Sequence, residues 1–345
     1  MVATGAVRLA GVLMTRRVAA VDCGTNSLRL LLADVDPGRA ELTDVARRME
    51  IVRLGQGVDK TGRLAPEALA RTIAVLRDYA DIIASSGVQA VRMVATSATR
   101  DADNAAEFVR GVKEVLGVAP EVLTGAEEAV LSFTGATAEL AAGPDRGPFL
   151  VTDIGGGSTE FVLGRGGYGG AGSPPVIGGF RGVVPPGHSA ISVDVGCVRL
   201  TERHLHGDPP TGDEVAAAIS DIDAALDMVA AEVPVRQART LIGLAGSVTT
   251  IAAIAMGLTA YDAARIHHAR VSAADVHAVT RGLLAQTRTA RAAIGVMHPG
   301  RVDVIGGGAL VLDRLMERFG FGEVLVSEHD ILDGMAWSLA GDLRG

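Results

Sequence analysis

Two short stretches hold the residues best suited to chemistry. Residues 22–29 read DCGTNSLR, and residues 153–160 read DIGGGSTE. Each has Asp at its first place, Gly at its third, Ser at its sixth and a charged residue at its eighth, and each joins two apolar runs. A turn of Gly, Ser, Thr and Asn lets backbone N–H groups converge on an anion. Its glycines permit a close approach that a side chain would block. A tight hairpin would account for one such turn; two copies, each led by Asp at a strand end, ask for more. A pair of aspartates can hold Mg²⁺, which bridges phosphate oxygens and offsets their charge. Two such loops facing each other across a cleft would make a phosphate clamp.

The elements around the loops must bring them together. RVAAVDC, LRLLLADV and EIVRL predict a strand meander over 18–54. PEALARTIAVLRDYADIIA (66–84) has helical spacing, with Pro66 suited to its first turn. AVRMVAT (90–96) reads as a buried strand, and helices follow at about 104–116 and 125–140. GPFLVTDIGGGSTEFVLG then repeats the strand–turn–strand pattern, so the chain is expected to contain two halves built on one plan. In the second half AISVDVGCVRLTE reads as a strand, followed by a helix at 212–232, the strand TLIGLAG, helices at 272–286 and 308–318, the strand EVLVS and a last helix near 330–340. Mixed strands and helices throughout make the class α/β. The Gly/Pro-rich stretch at 165–187 is expected to be a mobile surface loop.

Bulk composition narrows the function classes. At 345 residues the chain can bury a large core in two domains, and 48% apolar with 21% charged residues excludes disorder. A net charge of −8 argues against broad attraction to nucleic acid or a membrane surface, so an anionic substrate must be held by a local site. Seven Phe, three Tyr and one Trp give no aromatic platform for stacked bases. No apolar stretch reaches the roughly 18 residues of a membrane span. Cys23 and Cys197 lack metal-like spacing and read as two buried thiols, which points to the cytoplasm. The histidines of RHLH (203–206) and IHH (266–268) read as surface or packing residues. Residues 1–17 are expected to form an extension before the first domain, with Met14 as a second candidate start.

Taken along the whole chain, the motifs resemble those of the exopolyphosphatase / guanosine pentaphosphate phosphohydrolase family, within the actin–sugar kinase–chaperone superfamily of duplicated ATPase folds. The resemblance rests on the two loops together with VRLGQGVDKTGRL (52–64), VATSATRDADNAAEF (94–108), TGAEEAVLSF (124–133), GCVRLTE (196–202), AGSVTTIAAI (245–254) and RVDVIGGGALVL (301–312). It implies two lobes of duplicated actin-like (ribonuclease H-like) topology with a cleft between them. The lobes would be 1–136 and 137–325, with 326–345 a C-terminal helix returning to the first. It also implies a Mg²⁺-dependent hydrolase, with Mn²⁺ able to substitute, that removes terminal phosphate from polyphosphate. The alternatives are a pppGpp 5′-phosphohydrolase or a (p)ppGpp-binding sensor with weak hydrolysis. No nucleic-acid or membrane partner is implied, and a homodimer is left open.

Carried over residue by residue, the resemblance puts Asp22 and Asp153 at the metal. Thr25, Asn26, Ser27, Gly155, Gly156, Gly157 and Ser158 fall at the phosphate, and Arg100 falls on an arginine that reaches the substrate phosphates. Its planar fork suits phosphate oxygens. The family's water-activating glutamate corresponds to Glu127 or Glu128; neighbours on a helix point about 100° apart, so only one can face the cleft, and the alignment of the segment favours Glu128. Glu160 matches a further active-site carboxylate. The chain departs from the family at ILDGMAW (331–337), where relatives carry an arginine-bearing LREG segment. The additional C-terminal helical domains of longer relatives have no counterpart in the 345 residues, which puts a preference for long polyphosphate in doubt.

Overall fold

The computed structural model describes residues 15–39, 41–140, 147–166 and 184–342. Strands β1 (Arg16–Cys23), β2 (Ser27–Asp36) and β3 (Glu41–Ile51) form an antiparallel meander. Then come α1 (Val58–Thr61), α2 (Pro66–Ser85), β4 (Ala90–Ala95), α3 (Ser97–Arg100), α4 (Ala105–Leu116), β5 (Glu121–Val122) and α5 (Gly125–Thr137). The first sheet runs β3-β2-β1-β4-β5, with β4 parallel to β1 and to β5.

A second meander, β6 (Phe149–Ile154), β7 (Thr159–Gly164) and β8 (Ser189–Val193), opens the other half. It is followed by α6 (Cys197–His204), α7 (Gly212–Glu232), β9 (Thr240–Leu244), α8 (Ala245–Ala255), α9 (Ala263–Ile266), β10 (Arg270–Ser272), α10 (Ala273–Ala285), α11 (Arg288–Ala292), α12 (Ile305–Phe319), β11 (Glu323–Val326) and α13 (Ile331–Asp342). The second sheet runs β10-β11-β9-β6-β7-β8. Read from its meander edge, its order β8-β7-β6-β9-β11 repeats the first sheet's β3-β2-β1-β4-β5, with β10 added. The chain therefore holds one topology twice, as the repeated turn requires.

β1 is buried on both faces, which is why it reads as a continuous apolar run rather than an alternating one. Ala19 and Val21 pack with Leu76, Phe108 and Val112 of α2 and α4. Val18 and Ala20 pack with Ile331, Met335 and Trp337 of α13. In the second half the outer face of the sheet packs on α7, α8, α10 and α12. Its inner face meets α5 through Ala129, Phe133 and Ala136 against Phe149, Val151 and Val162. The sequence boundary at residue 136 thus falls within α5, whose apolar face lies on the second sheet, while α13 from the chain's end lies on the first. The two helices cross with backbones nearly touching. A Cβ at Gly135 would collide with the carbonyl of Asp330, and one at Gly334 with that of Leu131.

One element differs in kind from expectation. The strand read over AISVDVGCVRLTE stops at Val193, and CVRLTE lies in α6, with Gly196 at its N-cap. Of the 165–187 stretch, residues 167–183 lie outside the described residues, as do residues 1–14 of the expected N-terminal extension and residues 343–345 at the chain's end.

Candidate active site

The two loops are the hairpin turns of the two meanders and share their geometry. Gly24 N–H donates to Ser27 O at 2.9 Å, and Gly155 N–H donates to Ser158 O at 3.1 Å. Neighbouring segments hold each loop in place. Asn26 O accepts from the N–H of Val52 and Arg53 at 3.0 and 2.8 Å, and Thr25 O from Gly55 N–H at 2.8 Å, so VRLG braces the first loop. The second loop is gripped by the start of α6, whose Cys197 and Val198 N–H groups donate to Gly155 O and Gly156 O, both at 2.9 Å.

The loops meet face to face. A Cβ on Gly157 would stand 2.6 Å from Ser97 Oγ and 2.8 Å from Thr25 Oγ1, and one on Gly156 would stand 2.9 Å from Thr25 Cβ. These glycines serve the contact between the halves as much as access to a ligand. Among the described residues the N–H groups of Thr25, Asn26, Gly156 and Gly157 have no protein acceptor. A cleft of about 90 Å³ is lined by Asp22, Thr25, Asn26, Ser27, Arg29, Glu128, Asp153, Gly155, Gly156 and Ser158. Gly157, Glu160 and Arg100 are not part of this lining but adjoin it, Gly157 against Thr25 and Ser97 and Arg100 against Glu128.

Glu127 and Glu128 separate cleanly. Thr124 caps α5 by accepting from Glu127 N–H at 3.3 Å, while Glu127 Oε2 accepts from Thr124 N–H at 2.9 Å. That reciprocal pair satisfies two N–H groups that the helix start would leave open. It fixes Glu127 at the cap and turns Glu128 inward, where it is buried and 3.4 Å from Arg100. Arg100 also donates to Leu123 O at 3.0 Å.

Around Glu128 lie more buried carboxylates than guanidiniums. Asp153 accepts from Ser132 Oγ and Glu160 from Ser192 Oγ, each at 2.7 Å. Burial, with help from Glu160, pushes the Glu128 carboxyl well above its ordinary range, against the pull of Arg100. Burial and the Asp330 charge lift Asp153 to about 6, against the pull of Arg29. Burial and Asp153 lift Glu160 to about 7, against its serine hydrogen bonds.

Arg29, the charged eighth residue of the first loop, bridges Asp22 (Nη2–Oδ2 2.7 Å) and Asp330. Asp330 accepts from Leu332 N–H at 3.0 Å at the start of α13. Burial opposes its charge, yet Arg29 and Arg47 hold it below the usual carboxylate range. In contrast, Asp22 is raised by burial, and its Oδ1 is buried without a hydrogen-bond partner. An orphaned carboxylate oxygen in a cleft with surplus negative charge fits a divalent cation. Asp22 Oδ1 with the Asp153 carboxylate is the donor set that would hold it, and oxygen donors suit Mg²⁺ or Mn²⁺.

Beside the cleft, and sharing Arg29, Gly246 and Arg301 with it, lies a wider cavity of about 420 Å³. Arg47, Arg48, Tyr261, His298 and Leu332 also line it. Within ILDGMAW, Asp333 Oδ1 pairs with Arg47 Nη2 of β3 at 2.6 Å. Arg301 lies with its guanidinium against Gly246 and donates to Thr250 Oγ1 at 3.3 Å. Farther off, Glu139, His267 and His329 form a cluster. Glu328 N–H donates to His267 Nδ1 at 3.1 Å, which leaves the ring proton on Nε2, 3.3 Å from Glu139. That ring is a hydrogen-bond donor to Glu139, in keeping with a packing role.

The profile of the Ppx/GppA phosphatase family matches residues 31–342. The chain belongs to the Ppx/GppA phosphatase family. It is 52% identical over 336 residues to Exopolyphosphatase 2 of Mycobacterium tuberculosis, covering 94% of this chain and 99% of that one. Among solved structures, an exopolyphosphatase-like protein superposes with a TM-score of 0.85 at 41% identity, covering 95% of this chain and 99% of the other. A Ppx/GppA family member from Aquifex aeolicus superposes with a TM-score of 0.73 at 28% identity, covering 96% and 99%. Both lobes of this chain therefore carry the Ppx/GppA fold.

Sequence reasoning did not single out Ser132, Asp330 or Arg301. Ser132 stood within a quoted motif as a residue of α5, but nothing local says that it faces a strand of the other half. Arg29 was visible as the charged eighth residue; its two carboxylate partners, one 301 positions away, were not.

Proposed function

We propose that the protein is an exopolyphosphatase that hydrolyses the terminal phosphoanhydride of inorganic polyphosphate with water activated by Glu128. The observation that carries this reading is the facing pair of matching Asp–Gly turns, with four N–H groups lacking protein acceptors among the described residues, set against buried carboxylates. In this mechanism the N–H groups of Thr25, Asn26, Gly156 and Gly157, with the hydroxyls of Ser27 and Ser158, receive the oxygens of the terminal phosphate. Arg100 pairs with Glu128 at 3.4 Å and would turn its fork toward that phosphate when substrate binds. Glu128 accepts the proton of the attacking water, and Glu160 behind it receives hydrogen bonds from serine and holds the local charge. A bound Mg²⁺ supplies positive charge that neutralises phosphate oxygens and favours the ionised form of the neighbouring carboxylates. The reading is supported by the similarity to the M. tuberculosis protein over nearly its full length.

The wider cavity favours a second reading. Its apolar wall, with Tyr261, Met297 and Leu332, and its basic rim of Arg47 and Arg48 would accommodate a nucleoside attached to a phosphate chain. On that reading the substrate is pppGpp, cleaved by the same residues. Two free, buried cysteines fit a reducing cytoplasm. Among the described residues no helix is long and apolar enough to cross a membrane.

The test is phosphate release from tripolyphosphate, long polyphosphate, pppGpp and ATP, compared by kcat/KM with and without Mg²⁺. The proposal expects polyphosphate to lead. A lead by pppGpp selects the second reading, and turnover of none of the four overturns both.

A further inference from the structure

Helix α6 touches both ligand loops' surroundings, and its side chains cross to the first half. Its backbone N–H groups hold the carbonyls of the second glycine loop, as described above. From the same helix, the buried guanidinium of Arg199 pairs with Asp101 and lies 3.5 Å from Asp59 Oδ1, both in the first half. It also lies 3.2 Å from Asp194 in its own half. One turn on, Arg203 forks onto Asp59 at 2.7 and 2.8 Å, and Glu202 accepts from Gly57 N–H at 3.1 Å. Asp101 directly follows Arg100.

This seam is ionic, whereas the opposite junction is not. The apolar clusters under the two sheets stay separate on the α6 side. At the other junction α5 and α13 cross through Gly135 and Gly334 with almost no space between backbones. Opening the α6 seam would return charged groups to water and part the loop contact of Gly156 and Gly157 with Thr25 and Ser97, while the large apolar clusters of the two halves are already separate. Opening the α5–α13 crossing would break a packed contact.

We propose that Arg199 is a positioning residue, the centre of a clamp that closes the cleft and sets Arg100 and the second glycine loop on one phosphate. This rests on the phosphate-hydrolysis reading of the cleft. Arg199 does not touch the substrate. It fixes the spacing between two groups that do, through Asp101 on one side and the α6 backbone on the other. Three carboxylates around one shielded guanidinium couple more strongly than an exposed pair, and Lys, with a point charge on a flexible stem, cannot serve all three.

The experiment compares the wild type with Arg199→Ala, Arg199→Lys, Asp101→Asn and the Arg199→Ala/Asp101→Asn double variant. Two readouts are used: tripolyphosphate kinetics, and small-angle scattering without substrate. We expect KM to rise about tenfold or more in Arg199→Ala and Asp101→Asn with a smaller change in kcat. Arg199→Lys should be intermediate, and the double variant should be little worse than the worse single one, because both remove the same contact. The radius of gyration should rise by about 1 Å over the roughly 20 Å of a chain this long, and 0.5 M NaCl should move the wild type the same way. Unchanged KM and unchanged scattering in both single variants would overturn the proposal. So would a large loss of thermal stability with KM unaltered, because that marks a purely structural pair. If the wild type turns over no phosphate substrate, the functional reading fails and the scattering still decides the clamp.

Discussion

Replacing Glu160 with Gln should make the metal-free protein more stable while harming its activity. Glu160 is 2% exposed, sits opposite Asp153 across β6 and β7, and has Glu128 close by. Burial first, and Asp153 second, raise its carboxyl from an ordinary 4.5 to about 7. A folded-state value above the unfolded one means the native state binds the proton more tightly. Stability is therefore highest below pH 4.5, falls as pH rises through the window, and carries the full penalty above about 7. At 1.36 kcal/mol per unit the penalty at pH 8 is about 3 kcal/mol. Gln keeps an oxygen for Ser192 Oγ and carries no charge, so it escapes the penalty. With an unfolding entropy of about 2.1 cal/mol/K per residue, the gain amounts to roughly 4 °C in Tm for a chain of this length. The assay is thermal unfolding by circular dichroism in EDTA from pH 5 to 8.5. The gap between variant and wild type should open with rising pH and shrink again when Mg²⁺ is added. A Tm for Glu160→Gln that is equal to or below wild type at pH 8 would refute the reasoning, because the carboxylate would then be well solvated or already paired.

Other outcomes follow from contacts already described. Gly157→Ala puts a methyl 2.6 Å from Ser97 Oγ and 2.8 Å from Thr25 Oγ1; it should part the loops and lower kcat/KM at least tenfold with the fold retained by circular dichroism. Thr124→Ala removes the cap of α5 and should cost about 1 kcal/mol in urea unfolding. Glu127→Gln, which leaves an acceptor at that cap, should keep turnover within a few-fold of wild type. Asp153→Asn should raise the Mg²⁺ concentration needed for half-maximal rate by about tenfold or more, read from rate against total Mg²⁺.

The sequence signals that survived are those set by local chemistry. Two Asp-led glycine turns between apolar runs declare hairpins, and the structure builds both with the same closing hydrogen bond. The long helices α2, α4 and α7 have enough turns for their apolar face to show. What was missed depends on partners far along the chain. α6 has eight residues and no side-chain cap, and its start is set by the carbonyls of Gly155 and Gly156. Its Val and Cys residues favour an extended reading in isolation. Similarly, the inward turn of Glu128 was open between two neighbours until the cap took Glu127, and Thr124 three residues before Glu127 was the local sign of that cap. Arg301, shortly before α12, lines the cleft, and Asp330, just before α13, reaches it through Arg29.

The central claim, that Glu128 activates water on a phosphate held by the two loops, is tested most directly by Glu128→Gln. The measurement pairs kcat for tripolyphosphate at saturating Mg²⁺ with the Kd for the same ligand by titration calorimetry. The account predicts that kcat falls by about 10²–10⁴-fold, the range for loss of a general base, while Kd changes less than about threefold. A Glu128→Gln variant with near wild-type kcat would contradict it.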